Sequence, residues 1–153
     1  MKRCVQCHAK VLRKADHQDS LTIAGRVFSR KIPALRCSNC GETYIHGPDL
    51  GALERDATSV IAREGPCSGE TFQFLRKFLG MRGADLAELL DVAPETLSRW
   101  ETGQRPVDRA SWLALSVMVL EHLEGKTATL DRIKALFTQA KPTKHVQLKP
   151  RRA

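Results

Sequence analysis

The sequence contains no long apolar run. Its longest mostly apolar stretch, Ala110 to Leu120, is 11 residues and gives way to Glu121-His122, whereas a helix needs roughly 20 such residues to cross a bilayer. Met1-Lys2-Arg3-Cys4 turns polar at once and lacks the apolar stretch of a secretory signal. The expectation is a cytoplasmic protein without a membrane span. Also missing are the glycine period of collagen, the sustained heptads of a coiled coil and the cysteine density of a disulfide scaffold. There is no nucleophile–base set, no phosphate-cradling glycine loop and no open metal position, and the histidines are scattered, so no enzyme is expected. What remains is a chain of 153 residues with 42% hydrophobic content, enough for a core and too much for a disordered chain. Its length suits one ordinary domain or two small ones.

Acidic residues are in deficit as well: 17 Asp+Glu stand against 25 Lys+Arg, a formal net charge of +8. The excess is uneven. Residues 1–48 hold nine basic and three acidic side chains, residues 49–140 hold eleven and fourteen, and residues 141–153 hold five and none. Both ends would be drawn to a polyanion, and the middle as a whole would not. The basic tail 141–153 carries Pro142 and Pro150 and little to bury, so it is expected to have no fixed structure alone.

Four of the five cysteines form two pairs, Cys4-x-x-Cys7 and Cys37-x-x-Cys40. Two residues between thiols let one tight turn aim both sulfurs at one point, and two such turns make a tetrahedral thiolate cage suited to one structural Zn²⁺. Four thiolates close the shell and leave no position for a catalytic water. Cys4-Val5-Gln6-Cys7-His8 also fits a c-type haem attachment pattern, but that needs export, and a redox pair would need only one Cys-x-x-Cys on a thioredoxin-like frame. His8, His17 and His46 read as surface residues, and Cys67 as an unpaired linker thiol. Between the pairs, Leu21 to Ala24 and Arg26 to Ile32 have strand composition around Gly25, and Ala34 to Arg36 leads into the second pair. Strands between two metal knuckles describe a zinc ribbon. A module this small buries little surface, so the metal is expected to hold residues 1–48 folded.

From Asp49 to Glu64 the apolar residues Leu50, Leu53, Ala57, Val60 and Ile61 recur at helical steps, with Asp49 as candidate cap. Gly65-Pro66 stops that helix, and residues 65–69 form the best boundary. Short helices follow. Phe72, Leu75, Phe78 and Leu79 make one stripe; Leu86, Ala87 and Leu90 make the next; Asp91-Val92-Ala93 is a turn. Pro94 then opens a helix that stops at Gly103. Helix, short turn and second short helix match helix-turn-helix geometry. On the second helix Ala93, Leu97 and Trp100 face the core, while Glu95, Ser98, Arg99 and Thr102 face out. Such a helix can lie in a major groove, where Arg99 can donate two hydrogen bonds to guanine; Glu95 can accept from cytosine or restrain Arg99. Arg76, Lys77, Arg82, Arg105 and Arg109 are candidate phosphate contacts. Trp112 to Leu123 is a very apolar helix, and Leu130, Ile133, Leu136 and Phe137 mark a last amphipathic one, surface that a second chain could share.

The run Ser98-Arg99-Trp100-Glu101-Thr102-Gly103, after Leu86 to Val92, resembles the recognition segment of Cro/repressor-type (Xre) helix-turn-helix domains. Two Cys-x-x-Cys pairs ahead of it are similar to MqsA-type antitoxins. That resemblance spans about residues 1–140 and implies a zinc domain that masks an mRNA-cleaving toxin of the MqsR type, with a dimeric C-terminal domain that represses its own operon. It places Arg99 on the family's base-reading arginine and Glu95 where the family has a base-reading Asn. It also puts Arg82-Gly83 where the motif's first helix usually begins Thr/Ser-Gln, Asp91 at the usual turn glycine, and Ala93 at the usual N-cap serine.

The expected fold is therefore α+β: a small N-terminal zinc-ribbon-like β domain with a trailing helix (1–67), an all-α Xre/Cro-like domain (68–140) and the basic tail (141–153). The expected site residues are Cys4, Cys7, Cys37 and Cys40 for the metal and Glu95, Thr96, Ser98, Arg99, Arg82 and Arg105 for DNA. The expected partners are a palindromic double-stranded operator, a second copy of the chain and a cognate toxin, the alternative being a stand-alone zinc-containing transcription factor without a toxin.

Overall fold

In the computed structural model, which describes residues 3–138 and residue 147, the polypeptide forms three strands followed by six helices. Strands β1 (Leu12–Ile23) and β2 (Arg26–Cys37) pair antiparallel along their whole length, and the short β3 (Thr43–Ile45) adds to β2 through Ala34, Leu35 and Arg36. Helices are α1 (Ala52–Glu64), α2 (Gly69–Phe78), α3 (Gly83–Leu89), α4 (Pro94–Glu101), α5 (Arg109–Leu123) and α6 (Ala128–Phe137). This is the α+β layout expected, and no helix among the described residues is long and apolar enough to cross a membrane. The basic tail lies outside the described residues.

The hairpin is longer than its composition suggests. Leu12 to Ser20 alternates charged and polar residues and has little strand propensity, yet it pairs residue for residue with Ser29 to Cys37. Register explains this. Ala15, His17, Asp19, Leu21 and Ile23 share one face with their partners Ala34, Ile32, Arg30, Phe28 and Arg26. That face is wholly or partly covered at nearly every position, whereas Lys14, Asp16, Gln18, Ser20 and Thr22 opposite are exposed. Twelve residues of strand make each arm about 40 Å long. At its tip, Ala24 and Gly25 both have positive φ, 48° and 73°, the backbone that a two-residue hairpin turn demands.

The tip is anchored on the helices. Ala24 N–H donates to Glu70 Oε1 at 2.7 Å, Arg26 Nη1 donates to the Gly65 carbonyl at 2.8 Å, and Arg30 pairs with Asp56. Ile23 enters the same core as Ala57, Ile61 and Ala62 of α1, Phe72 and Leu75 of α2, Leu86 and Ala87 of α3, Leu97 and Trp100 of α4, and Leu115, Met118 and Val119 of α5. The trailing helix α1 thus packs on the helical module rather than hanging between two modules, and the core runs without a break past residues 65–69.

Caps differ from expectation in one place. Asp49 does not cap α1. It ends a single 3-10 turn (Gly47–Asp49), and Gly51, with φ 77°, starts the helix without a side-chain cap. Leu50 is consequently off the helix and 57% exposed. Further on, Ser68 and Thr71 form a reciprocal capping box on α2, so that helix begins at Gly69. Asp108 accepts from Ser111 N–H at 2.8 Å and caps α5. Glu121 accepts from Thr129 N–H at 2.8 Å and so ties the start of α6 to α5. Among the described residues Ser116 Oγ, buried within α5, has no hydrogen-bond partner.

Gly69 is required by close approach. A Cβ there would run into the carbonyl oxygen of Trp100 and sit 2.9 Å from that of Glu101, backbone atoms that cannot swing away. Gly69→Ala should therefore destabilise the helical module by at least about 1–3 kcal/mol, read as a lower urea midpoint with an unchanged slope. By contrast, Ser116→Ala should leave stability unchanged or raise it, because the hydroxyl lost there is already unpaired.

Candidate metal centre and nucleic-acid interface

The two cysteine turns are built alike. Cys4 N–H donates to the Ala9 carbonyl at 3.0 Å and His8 N–H to the Cys4 carbonyl at 2.9 Å; Cys37 N–H donates to the Glu42 carbonyl at 2.8 Å and Gly41 N–H to the Cys37 carbonyl at 3.0 Å. In each turn the residue four places after the first cysteine has positive φ, 59° at His8 and 79° at Gly41. Cys4 and Cys37, the first of each pair, are buried, and Cys40 is exposed. β2 ends on Cys37 while β1 begins beside it at Leu12, so the long hairpin brings the second turn back against the first. A chain separation of 29 residues between Cys7 and Cys37 closes because the two strands run out and back in register.

Their four sulfurs lie within 4.8 Å of one another. Cys4 Sγ is 3.4 Å from Cys40 Sγ, and Cys7 Sγ is 3.6 Å from Cys37 Sγ. A metal with bonds of about 2.3 Å to four thiolates would set them about 3.8 Å apart, so the cage has the size and donor set for such an ion. Among the described residues no histidine joins the cluster. The thiols also split in proton affinity. Cys4 is lowered to about 6, first by the Tyr44 hydroxyl and then, against its burial, by the Cys7 backbone and the neighbouring thiols of Cys40 and Cys7. Cys40 is pushed up to about 12: the Glu42 backbone N–H pulls it down, but the Cys4 sulfur, partial loss of water around a thiol whose residue is otherwise exposed, and the other two sulfurs outweigh that bond. Like-charged sulfurs this close cannot all ionise unaided, and a cation among them removes that obstacle.

Tyr44 was not legible as part of this site. It is the single tyrosine of the chain and sits on β3 opposite Leu35. Its hydroxyl is 3.1 Å from Cys4 Sγ and accepts the Val5 N–H at 2.8 Å.

At the other end of the molecule, α3 and α4 stand as the sequence predicts, joined by a turn in which Asp91 takes φ 54°. Pro94 opens α4, and Ala93 before it has extended backbone and no capping side chain. Leu97 and Trp100 are buried, whereas Glu95, Ser98, Arg99 and Thr102 are exposed on the outer face and Thr96 is half-buried. Ala93 is exposed instead of core-facing, since as the N-cap it has left the helical path. Among the described residues Glu95 and Arg99 form no ion pair, so Arg99 is free to reach outward.

Two expected phosphate contacts turn out otherwise engaged. Arg76 is 9% exposed and grips Glu101 with two bonds, Nε to Oε1 at 2.6 Å and Nη2 to Oε2 at 2.8 Å, while its Nη1 donates to the Met81 carbonyl at 2.7 Å. Gln73 adds a third donor to Glu101 at 3.1 Å. Arg76 therefore fixes α4 to α2 and is not available to a phosphate. The signal was present in the sequence, because Phe72, Leu75, Arg76 and Leu79 follow the i, i+3, i+4, i+7 stripe. Arg82 is exposed but forms two hydrogen bonds to Asp85, at 2.9 and 2.7 Å; Arg105 and Arg109 are exposed.

Because the cysteine end of the hairpin lies far from the anchored tip, loss of an ion held there should act locally. After strong chelation, residues 3–11 and 37–45 should exchange amide protons and admit protease much faster, while α1 to α6 keep their helical circular dichroism. Uniform protection before and after chelation would contradict this. Removing one partner of the buried pair should reach further. Arg76→Ala should cost about 3–5 kcal/mol by stranding the Glu101 carboxylate, measured by urea unfolding.

Residues 73–116 match the family model described as Helix-turn-helix. A search of curated proteins returns no match to the chain. The matched segment runs from α2 into α5 and contains the whole of α3 and α4. The chain thus carries an Xre-type helix-turn-helix domain, which supports a DNA-binding transcription regulator, behind a four-cysteine cluster that could hold a metal ion.

Proposed function

We propose that this protein is a sequence-specific repressor that acts as the antitoxin of a type II toxin–antitoxin pair. One arrangement carries the reading: an outward-facing Arg99 on a helix anchored by Leu97 and Trp100, inside a helix-turn-helix segment that follows a closed four-cysteine cluster. α4 enters the major groove, Arg99 reads a guanine edge, and Glu95, Thr96 and Ser98 meet bases or adjacent phosphates. Arg105 and Arg82 hold the backbone, Arg82 exchanging its Asp85 contact for a phosphate. A homodimer reads a palindromic operator in its own promoter, because two half-sites multiply affinity.

The cluster binds a single Zn²⁺ through Cys4, Cys7, Cys37 and Cys40, and with four thiolates around it the ion is structural. The hairpin module around it masks a toxin, an mRNA-cleaving ribonuclease, in the cytoplasm. The protein works by binding and not by catalysis.

Arg99→Ala should weaken operator binding by about 1–3 kcal/mol and narrow the ratio between operator and random DNA, measured by gel shift at fixed salt. An unchanged ratio would remove Arg99 from base reading. Co-expression with the adjacent open reading frame should rescue growth. Operator binding without rescue would leave a stand-alone regulator.

A further inference from the structure

We propose that Tyr44 tunes the metal centre from outside its ligand set, its hydroxyl donating to the Cys4 sulfur while accepting the Val5 N–H. This rests on the metal reading of the four cysteines. The geometry comes from three separate parts of the chain. β3 places Tyr44 opposite Leu35, two residues before Cys37 and on the same face of β2. The first cysteine turn lies 40 positions upstream in sequence and is brought to the hydroxyl, with Cys4 Sγ at 3.1 Å and Val5 N at 2.8 Å.

A phenol has one proton to give and lone pairs to receive. A metal-bound cysteine is a thiolate and has no proton, so between the two groups the hydroxyl must be the donor. Cys4 is 1% exposed, so in this fold its sulfur meets the Tyr44 hydroxyl and not bulk water. The same oxygen satisfies Val5 N–H inside the Cys-x-x-Cys turn. One side chain therefore orients the first ligand, withdraws electron density from its sulfur and holds the turn that aims Cys7. Groups of this kind around metal sites typically change affinity about 10–100-fold when removed.

The test uses the full chain and Co²⁺ as probe, with Tyr44→Phe as the variant. Wild type should give a tetrahedral thiolate spectrum. Tyr44→Phe should bind Co²⁺ about 10–100-fold more weakly in chelator competition. Its thiolate-to-metal charge-transfer band should move to lower energy, because an unbonded sulfur gives up its electron more easily. Mass spectrometry should find Cys4 alkylated faster relative to Cys7, Cys37 and Cys40. Equal affinity with an unmoved band overturns the proposal. So does weaker binding with an unmoved band and uniform alkylation, which is the mark of a packing role alone. A wild type that takes up no Co²⁺ overturns the metal reading together with the proposal, whereas the other two outcomes leave that reading intact. If Tyr44→Phe does not fold, fluorotyrosine at this sole tyrosine, a stronger donor of nearly the same shape, should move the band to higher energy; no movement overturns the proposal.

Discussion

The contact between α2 and α4 constrains the rest of the helical module. Backbone meets backbone where Gly69 approaches the Trp100 and Glu101 carbonyls. Beside that point, Arg76 and Gln73 grip Glu101, and Phe72 meets Trp100 edge to face with ring centroids 5.9 Å apart. Three kinds of interaction thus hold one short helix: steric closeness that only glycine permits, a largely buried ion pair and an aromatic pair. An eight-residue helix has little stability of its own. What makes α4 a rigid platform is the surface beneath it, and rigidity is what lets its outer side chains keep their spacing against a groove.

The cysteine module is held differently. Its sheet has one face only partly covered, and its far end contains few apolar side chains besides Cys4, Cys37, Ile32 and Ala34 that are buried. The tip of the hairpin joins the helical core through Ile23 and through hydrogen bonds to Glu70 and Gly65. The hairpin is therefore fastened at its tip, and the four-cysteine cluster that could hold a metal ion lies about 40 Å away along a two-stranded arm. Paired Arg13 and Arg36, directly opposite each other on that arm and both exposed, add nothing to its stability, since like charges across a ladder repel. A metal ion held by the four sulfurs would be the compensating element at the outer end.

Much of this was legible. Repeated Cys-x-x-Cys spacing marked the cluster, because two-residue gaps force convergence of thiols whatever the intervening chain does. Apolar steps of three and four marked α2, α3 and α4, and Pro94 marked where α4 starts. Local rules failed where a partner from elsewhere intervened. Leu12 to Ser20 is a strand because β2 pairs with it, not because of its own propensity. Asp49 lost the cap to a glycine that the 3-10 turn left in position. Arg76 looked like a solvent cation, yet Glu101, 25 residues on, draws it inside.

By itself, then, the sequence determined the donor set, the presence of a helix-turn-helix and the identity of its outward side chains, for these follow from spacing and periodicity along a single segment. Only the tertiary structure decided that α1 belongs to the helical core, that Arg76 is a fastening and not a phosphate contact, and that the single tyrosine touches the first cysteine. Each of those depends on groups far apart in the chain meeting at hydrogen-bond or van der Waals distance, and no local pattern encodes such a meeting.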